Sequence, residues 1–202
     1  MSETKGERTR AAILAEATAL ATVEGLEGLS LGQLAKTTGL SKAGLYAHFG
    51  SKEELQLATI DAAREIFLVE VVQPGLAAPR GVRRLEALCE AFISHVERGV
   101  FPGGCFFSAA AAEFGTRRGT VRDKVASNQV DWLEVLERVA REAQELGELN
   151  AELDAAQLAF DLNSFVVAAN NGYILHGDPE VLVRGRRAVR ARIDAERTAA
   201  VT

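Results

Sequence analysis

The sequence predicts an all-α protein of about nine helices, with a small three-helix head at the N-terminus and a larger helical domain behind it. Three observations carry this reading. Apolar residues recur at three- and four-residue spacing along nearly the whole chain, and clear period-two alternation is absent. Runs of β-branched residues are short. Four prolines in 202 residues leave room for long helices, and Gly and Pro fall at the breaks in the pattern.

The first helix is expected from about Arg8 to Val23, with Ile13, Leu14, Ala17 and Leu20 at helical spacing and Gly25 and Gly28 ending it. Ser30-Leu31-Gly32-Gln33 reads as a capping box, in which the Ser hydroxyl accepts from the third helical N–H and the Gln reaches back. A short helix follows and ends near Thr37-Thr38-Gly39; Ser41 caps another that runs to about Phe49. Ser51-Lys52-Glu53-Glu54 is a second box opening a long helix, which Gln73-Pro74-Gly75 is expected to stop. Five more helices are expected near 82–98, 105–114, 119–146, 154–176 and 179–198. Phe101-Pro102-Gly103-Gly104 and Gly119 separate three of them, Asp154 with Gln157 caps the fourth, and Asp178-Pro179 opens the last.

A chain 48% hydrophobic and 25% charged is ordinary for a globular protein. No stretch suggests a transmembrane helix, and Met1-Ser2-Glu3-Thr4-Lys5 lacks the apolar core of a signal peptide, so the cytoplasm is expected and no membrane partner. Cys89 and Cys105 lack CxxC spacing; they read as small buried hydrophobes, with a redox or electrophile sensor as the alternative. The net charge of −5 argues at first against a nucleic-acid partner, but its distribution reverses the argument. Residues 1–52 are net positive by one, and the rest of the chain is negative. Between 28 and 52 stand three lysines, one histidine and no acid. A locally basic head on an acidic body suits a protein that touches phosphate at one end.

The informative stretch is Leu29 to Lys52. Two helices of about two turns are joined by Thr38-Gly39-Leu40, where Gly39 can take the positive φ of a tight turn. Leu34, Ala35, Leu40, Leu45 and Phe49 are spaced to share a small core. This is the sequence form of a helix-turn-helix, whose second helix enters the major groove of DNA N-terminal end first. That end displays Ser41, Lys42, Ala43 and Gly44. Lys42 is placed for a phosphate or a guanine, Ala43 for a thymine methyl, and Tyr46 and His48 for backbone phosphates. Gly44 costs about 1 kcal/mol relative to Ala inside a helix; close approach to DNA is one reason for it, tolerated drift the other. Lys52, in the first turn of the next helix, would join free N–H groups at an anion.

Leu29-Ser30-Leu31, Leu34-Ala35, Thr38-Gly39-Leu40-Ser41-Lys42, Leu45-Tyr46-Ala47-His48-Phe49 and Ser51-Lys52-Glu53-Glu54-Leu55 together resemble the motif of the tetracycline-repressor (TetR) family of transcriptional regulators. The resemblance implies a three-helix DNA-binding head (5–55), a linking fourth helix, and a helical effector-binding and dimerisation domain (56–202). It implies a homodimer on double-stranded operator DNA, with an effector pocket inside each subunit. The charge split and the aromatic-rich C-terminal half add the expectation of a repressor released by an unknown small-molecule effector that is largely apolar. Family DNA contacts, carried over by position, fall on Lys42, Ala43, Gly44, Tyr46, His48 and Lys52, with Ser30 and Gly32 near the backbone. Gly32 and Ala47 are small, which leaves the groove-facing surface bare and shifts recognition toward Lys42, backbone and DNA shape.

The helix over 155–176 is apolar on more than one face, which calls for burial on both sides. Leu158, Leu162, Ala169 and Tyr173, with Val181, Gly185, Ala188 and Val189 of the last helix, are the expected dimer seam, the alternative being packing within one subunit. Phe67, Phe92, Phe106, Phe107, Trp132 and Phe165 could line an apolar pocket, with Asn163 and Asn170 as polar groups; plain core and internally bonded amides are the competing reading. The arginines at 184, 186, 187, 190, 192 and 197 look like a second DNA site but read better as a solvated face.

An enzyme is not expected. His48, His95 and His176 lie on separate helices and form neither HExxH nor a Cys–His ligand pattern; Gly103-Gly104 is too short for a phosphate loop. No metal and no cofactor is expected. The remaining alternative is a DNA-binding protein of the same fold with a structural or ligand-independent role.

Overall fold

The structure, a computed structural model, describes residues 4–198. Among them are ten α-helices: α1 (Lys5–Glu24), α2 (Leu31–Thr38), α3 (Lys42–Phe49), α4 (Lys52–Phe67), α5 (Gln73–Ala77), α6 (Val82–Glu97), α7 (Phe106–Phe114), α8 (Thr120–Glu145), α9 (Ala155–His176) and α10 (Glu180–Asp194). Leu68–Val72 is a π turn that joins α4 to α5 in one rod, so the described residues contain the nine helical rods expected. They contain no strand, only an isolated bridge between Leu149 and Arg197. None of their helices is long and apolar enough to cross a membrane.

The chain divides into two compact units. One comprises the residues up to Ile66 together with Phe101–Ser127; the other comprises Phe67–Val100 and the residues from Asn128 onward. In the first, α1 begins three residues earlier than its apolar pattern announces, because Thr4 and Glu7 form a reciprocal capping box: Glu7 N–H donates to Thr4 Oγ1 at 3.2 Å and Thr4 N–H to Glu7 Oε2 at 2.7 Å. Ile13, Ala17 and Ala21 form the buried stripe of α1, and Leu26, Leu29, Leu34, Leu45 and Phe49 are buried in the same unit. Leu55, Ile60 and Ala63 of α4 and Phe106, Phe107, Ala110 and Phe114 of α7 are also buried.

The rod over 52–77 corrects the expectation that Gln73-Pro74-Gly75 would end it. Pro74 lies in the first turn of α5, after the wider π turn, where its missing N–H costs little. Gly75 is buried against α6; a Cβ there would stand 2.8 Å from Leu88 Cα.

In the second unit α6 buries Val82, Leu85, Leu88, Cys89, Phe92, Ile93 and Val96 on one face. Against it pack α9 and α10, whose close approach explains their small residues. A Cβ on Gly185 would lie 2.6 Å from Ala169 Cβ, and one on Gly172 2.8 Å from Val181 Cγ1. The last helix stops at Asp194, short of 198, because the chain turns to pair with the segment before α9: Asn150 N–H donates to Glu196 O (2.9 Å) and Thr198 N–H to Glu148 O (3.1 Å). Arg184, Arg186, Arg192 and Arg197 join neighbouring carboxylates. Arg186 holds Glu90 (2.9 Å) and Glu97 (2.5 Å), Arg192 holds Asp161 (2.8 Å), and Arg197 holds Glu86 (2.8 Å).

His95 of α6 is 1% exposed, with the Phe67 ring edge-on at 6.2 Å. Burial drives its pKa from 6.5 down to about 4, against the pull of Glu70 in the other direction. The unfolded chain therefore takes up a proton at this residue at higher pH than the folded one. Stability from this group is complete above about pH 6.5 and is lost as pH falls toward 4, by about 3 kcal/mol in all. Urea midpoints measured between about pH 7 and pH 4.5 should fall steeply for the native chain and less steeply for His95→Leu. An equal slope in the two would assign the acid sensitivity elsewhere.

Candidate nucleic-acid interface

Two helices of eight residues each build the reader, and both are held at their ends. Ser30 Oγ accepts from Gln33 N–H at 3.1 Å and Ser41 Oγ from Gly44 N–H at 3.0 Å. The box expected at Ser30 forms by half: the Gln33 side chain donates instead to Glu24 Oε2, at 2.6 Å. Between the helices Gly39 takes φ 68°, the left-handed conformation the turn needs. Leu34, Leu45 and Phe49 are fully buried, while Ala35 and Leu40, expected in the same core, are half-buried at its edge.

That packing leaves one side of α3 in the open. Ser41, Lys42, Ala43, Tyr46 and Ala47 are exposed, Tyr46 by 54%; Gly44 and His48 are half-buried and Ser30 is exposed. Two glycines make room for this surface. The Lys42 side chain lies over Gly32, where a Cβ would stand 3.2 Å from Lys42 Cε. A Cβ on Gly44 would press the Ser41 hydroxyl at 3.3 Å, the oxygen that caps α3. Gly44 therefore has a use inside the protein, a third reason beside DNA approach and drift.

Lys52, at the start of α4, is already engaged. Its ammonium meets Glu27 Oε1 at 2.8 Å, while Arg117 reaches Glu27 Oε2 at 3.2 Å and Gln56 Nε2 reaches it at 3.1 Å. Hydrogen bonds from Lys52, then Gln56, hold the Glu27 carboxyl below the usual carboxylate range. The backbone of the same turn is gripped from α7: Glu113 accepts from Leu26 N–H (2.7 Å) and Glu27 N–H (3.0 Å). Glu27, Gln56, Glu113 and Arg117 escaped the sequence reading, since they come together only in three dimensions and match no short motif.

Comparison with known proteins agrees with this geometry. Residues 13–59 match the family model described as bacterial regulatory proteins, tetR family, and residues 81–189 match the tetracyclin repressor-like C-terminal domain. The chain belongs to the TetR family. It is accordingly a DNA-binding transcriptional regulator. No curated protein matches it. Among solved structures, a TetR transcriptional regulator from Chloroflexus aurantiacus is 28% identical, with a TM-score of 0.85 over 96% of this chain and 99% of that one. A TetR-family regulator from Cytophaga hutchinsonii is 20% identical, with a TM-score of 0.84 over 98% and 100%. AibR, solved with isovaleryl coenzyme A and operator DNA, is 23% identical, with a TM-score of 0.71 over 93% and 97%.

The effector-pocket candidates of this TetR-family regulator fall in both units. Phe67, Phe92 and Trp132 form a buried cluster in the second, with Phe67–Trp132 edge-on at 5.3 Å and Phe67–Phe92 at 6.0 Å. Trp132 Nε1 donates to Asn163 Oδ1 at 3.1 Å. Asn170 is buried and donates to Asn171 Oδ1 at 2.9 Å; Phe165 is half-buried. Phe106 and Phe107 pack edge-on at 5.3 Å in the first unit.

Burial divides the dimer-seam candidates. Leu158, Leu162, Ala169, Gly185 and Val189 are buried within the single chain, where α9 and α10 pack together, and Val181 lies against Gly172 there; Tyr173 and Ala188 are half-buried. The large apolar residues that α9 and α10 leave exposed are Phe160, Ile174, Leu175 and Val183. Spacing alone could not tell which of the two apolar faces of α9 the subunit would use for itself.

Ser41→Ala removes the oxygen that caps α3 and should destabilise the chain by about 1 kcal/mol. Chemical denaturation followed by circular dichroism reads this; no loss of stability would mean that the cap contributes nothing.

Proposed function

We propose that the protein is a dimeric repressor that holds operator DNA through α3 and is released by a small, largely apolar effector. The observation that carries the DNA side is the open face of α3, with Lys42, Ala43, Tyr46 and Ala47 together in solvent while Leu45 and Phe49 anchor the same helix from behind. The sites proposed for contact are Ser30, Ser41, Lys42, Ala43, Gly44, Tyr46, His48 and Lys52. Residues 5–55 carry this role, and 56–202 carry dimerisation and effector binding. A cytoplasmic location follows from the role.

A dimer supplies two readers, which reach successive major grooves about 34–36 Å apart. Phe160, Ile174, Leu175 and Val183 are the apolar surface on which a second copy would settle. The effector reading rests on the Phe67–Phe92–Trp132 cluster beside the Trp132–Asn163 hydrogen bond, an apolar site with a polar handle. AibR, solved with an acyl-coenzyme A and operator DNA, is a precedent for one fold holding both kinds of partner. An effector would act by favouring a dimer whose two heads are wrongly spaced.

Lys42→Ala combined with Tyr46→Phe should weaken binding to a duplex selected from random DNA by about tenfold or more. Sedimentation should show dimerisation unchanged. Equal affinity for the two proteins across a range of salt concentrations would refute the site. A titration in which apolar compounds never loosen the complex would favour a ligand-independent DNA-binding protein.

A further inference from the structure

We propose that Glu27 tunes operator affinity by competing with DNA phosphate for Lys52, and that Arg117, which holds the same carboxylate from the turn between α7 and α8, sets how far that competition goes. The inference rests on the reading of Lys52 as a phosphate contact.

The geometry supplies a three-body arrangement. The Lys52 ammonium is 2.8 Å from one Glu27 oxygen, and the Arg117 guanidinium is 3.2 Å from the other. All three side chains are 42–47% exposed, so their ion pairs are weak and exchangeable. A phosphate arriving at Lys52 offers the same charge as the carboxylate it displaces. Glu27 would then face DNA as an uncompensated anion, were it not for Arg117.

The arrangement is also held in place. Arg117 lies over the Phe114 ring at 4.9 Å, and its Nε donates to Glu113 O at 3.3 Å. The Glu113 carboxylate fixes the backbone of Leu26 and Glu27, and Gln56 ties Leu26 O (3.0 Å) and the Glu27 carboxylate to α4. The placement of α7 against the turn after α1 therefore decides how Arg117 and Lys52 share one carboxylate. Glu27 and Arg117 are positioning residues: they act on DNA through Lys52.

The signs follow from charge. Glu27→Gln removes the competitor and should tighten binding about two- to fivefold at low salt, the range of an exposed ion pair. It should also steepen the dependence of log affinity on log salt, toward the full increment of about 0.9 for each phosphate neutralised. Arg117→Ala leaves Glu27 to Lys52 alone; binding should weaken by a similar factor and the salt slope should become shallower. Arg117→Lys, which keeps the charge, should restore most of the loss. With Glu27→Gln already present, Arg117→Ala should have little effect, and with Lys52→Gln present Glu27→Gln should no longer tighten binding.

The experiment measures affinity of the full chain for its selected duplex at several salt concentrations, with melting curves for each variant. A wild-type chain that selects no duplex overturns the DNA-binding reading itself. If the wild type binds, additive effects of Glu27→Gln and Arg117→Ala overturn the present inference, because a purely local charge or a direct Arg117–phosphate contact would be additive. Should Glu27→Gln melt early, Arg117→Ala decides alone: unchanged affinity and salt slope would sink the proposal.

Discussion

A helix of two turns does not persist in water, because forming its first turn fixes several residues for a single hydrogen bond. The DNA reader of this protein is made of two such helices, so its existence depends on what is packed behind them. Leu34, Leu45 and Phe49 supply that backing, buried with Ile13 and Ala17 of α1 and Leu26 and Leu29 of the following turn. The same burial dictates which side of α3 remains outside. Lys42 and Tyr46 face solvent because Leu45 and Phe49 cannot; recognition surface and core are two consequences of one helical phase.

Charge organises the protein at a longer range. Acids of the second unit hold several of the C-terminal arginines in local pairs, as at Arg186 with Glu90 and Glu97, which removes that arginine from the pool available to DNA. Near the reader the arrangement differs. Lys42 lies over a glycine, whereas Lys52 shares a carboxylate with Arg117. Two lysines ten residues apart thus meet DNA with different histories, one directly available and one already partnered.

Much of this was legible in the order of residues. Capping serines, a glycine in the turn and apolar spacing marked α2 and α3 to within a residue, because these signals are local and each has a single physical meaning. The all-helical architecture was legible for the same reason. Pro74 misled, since a proline marks a helix end only when no wider turn precedes it. The two faces of α9 could not be told apart by spacing: both are apolar, and the choice of which packs within the chain belongs to α10, whose Gly185 admits Ala169. The cluster at Glu27 was beyond reach, because residues 27, 56, 113 and 117 are brought together by packing rather than by spacing.

The π turn at Leu68–Val72 has a consequence for how this chain tolerates change in length. A π turn carries one residue more than the α-helical turn it replaces, so every side chain beyond it is rotated by about 100° relative to an unbroken helix. That rotation is what brings Gly75 round to Leu88. Loss of a single residue from this stretch would let the rod relax to ordinary helical winding with Gly75 still facing α6, whereas closing the turn at unchanged length would rotate Gly75 away and present a bulkier neighbour. These five residues thus act as the phase setting of the whole segment, and a one-residue deletion there would matter less than a substitution that closed the turn without shortening it.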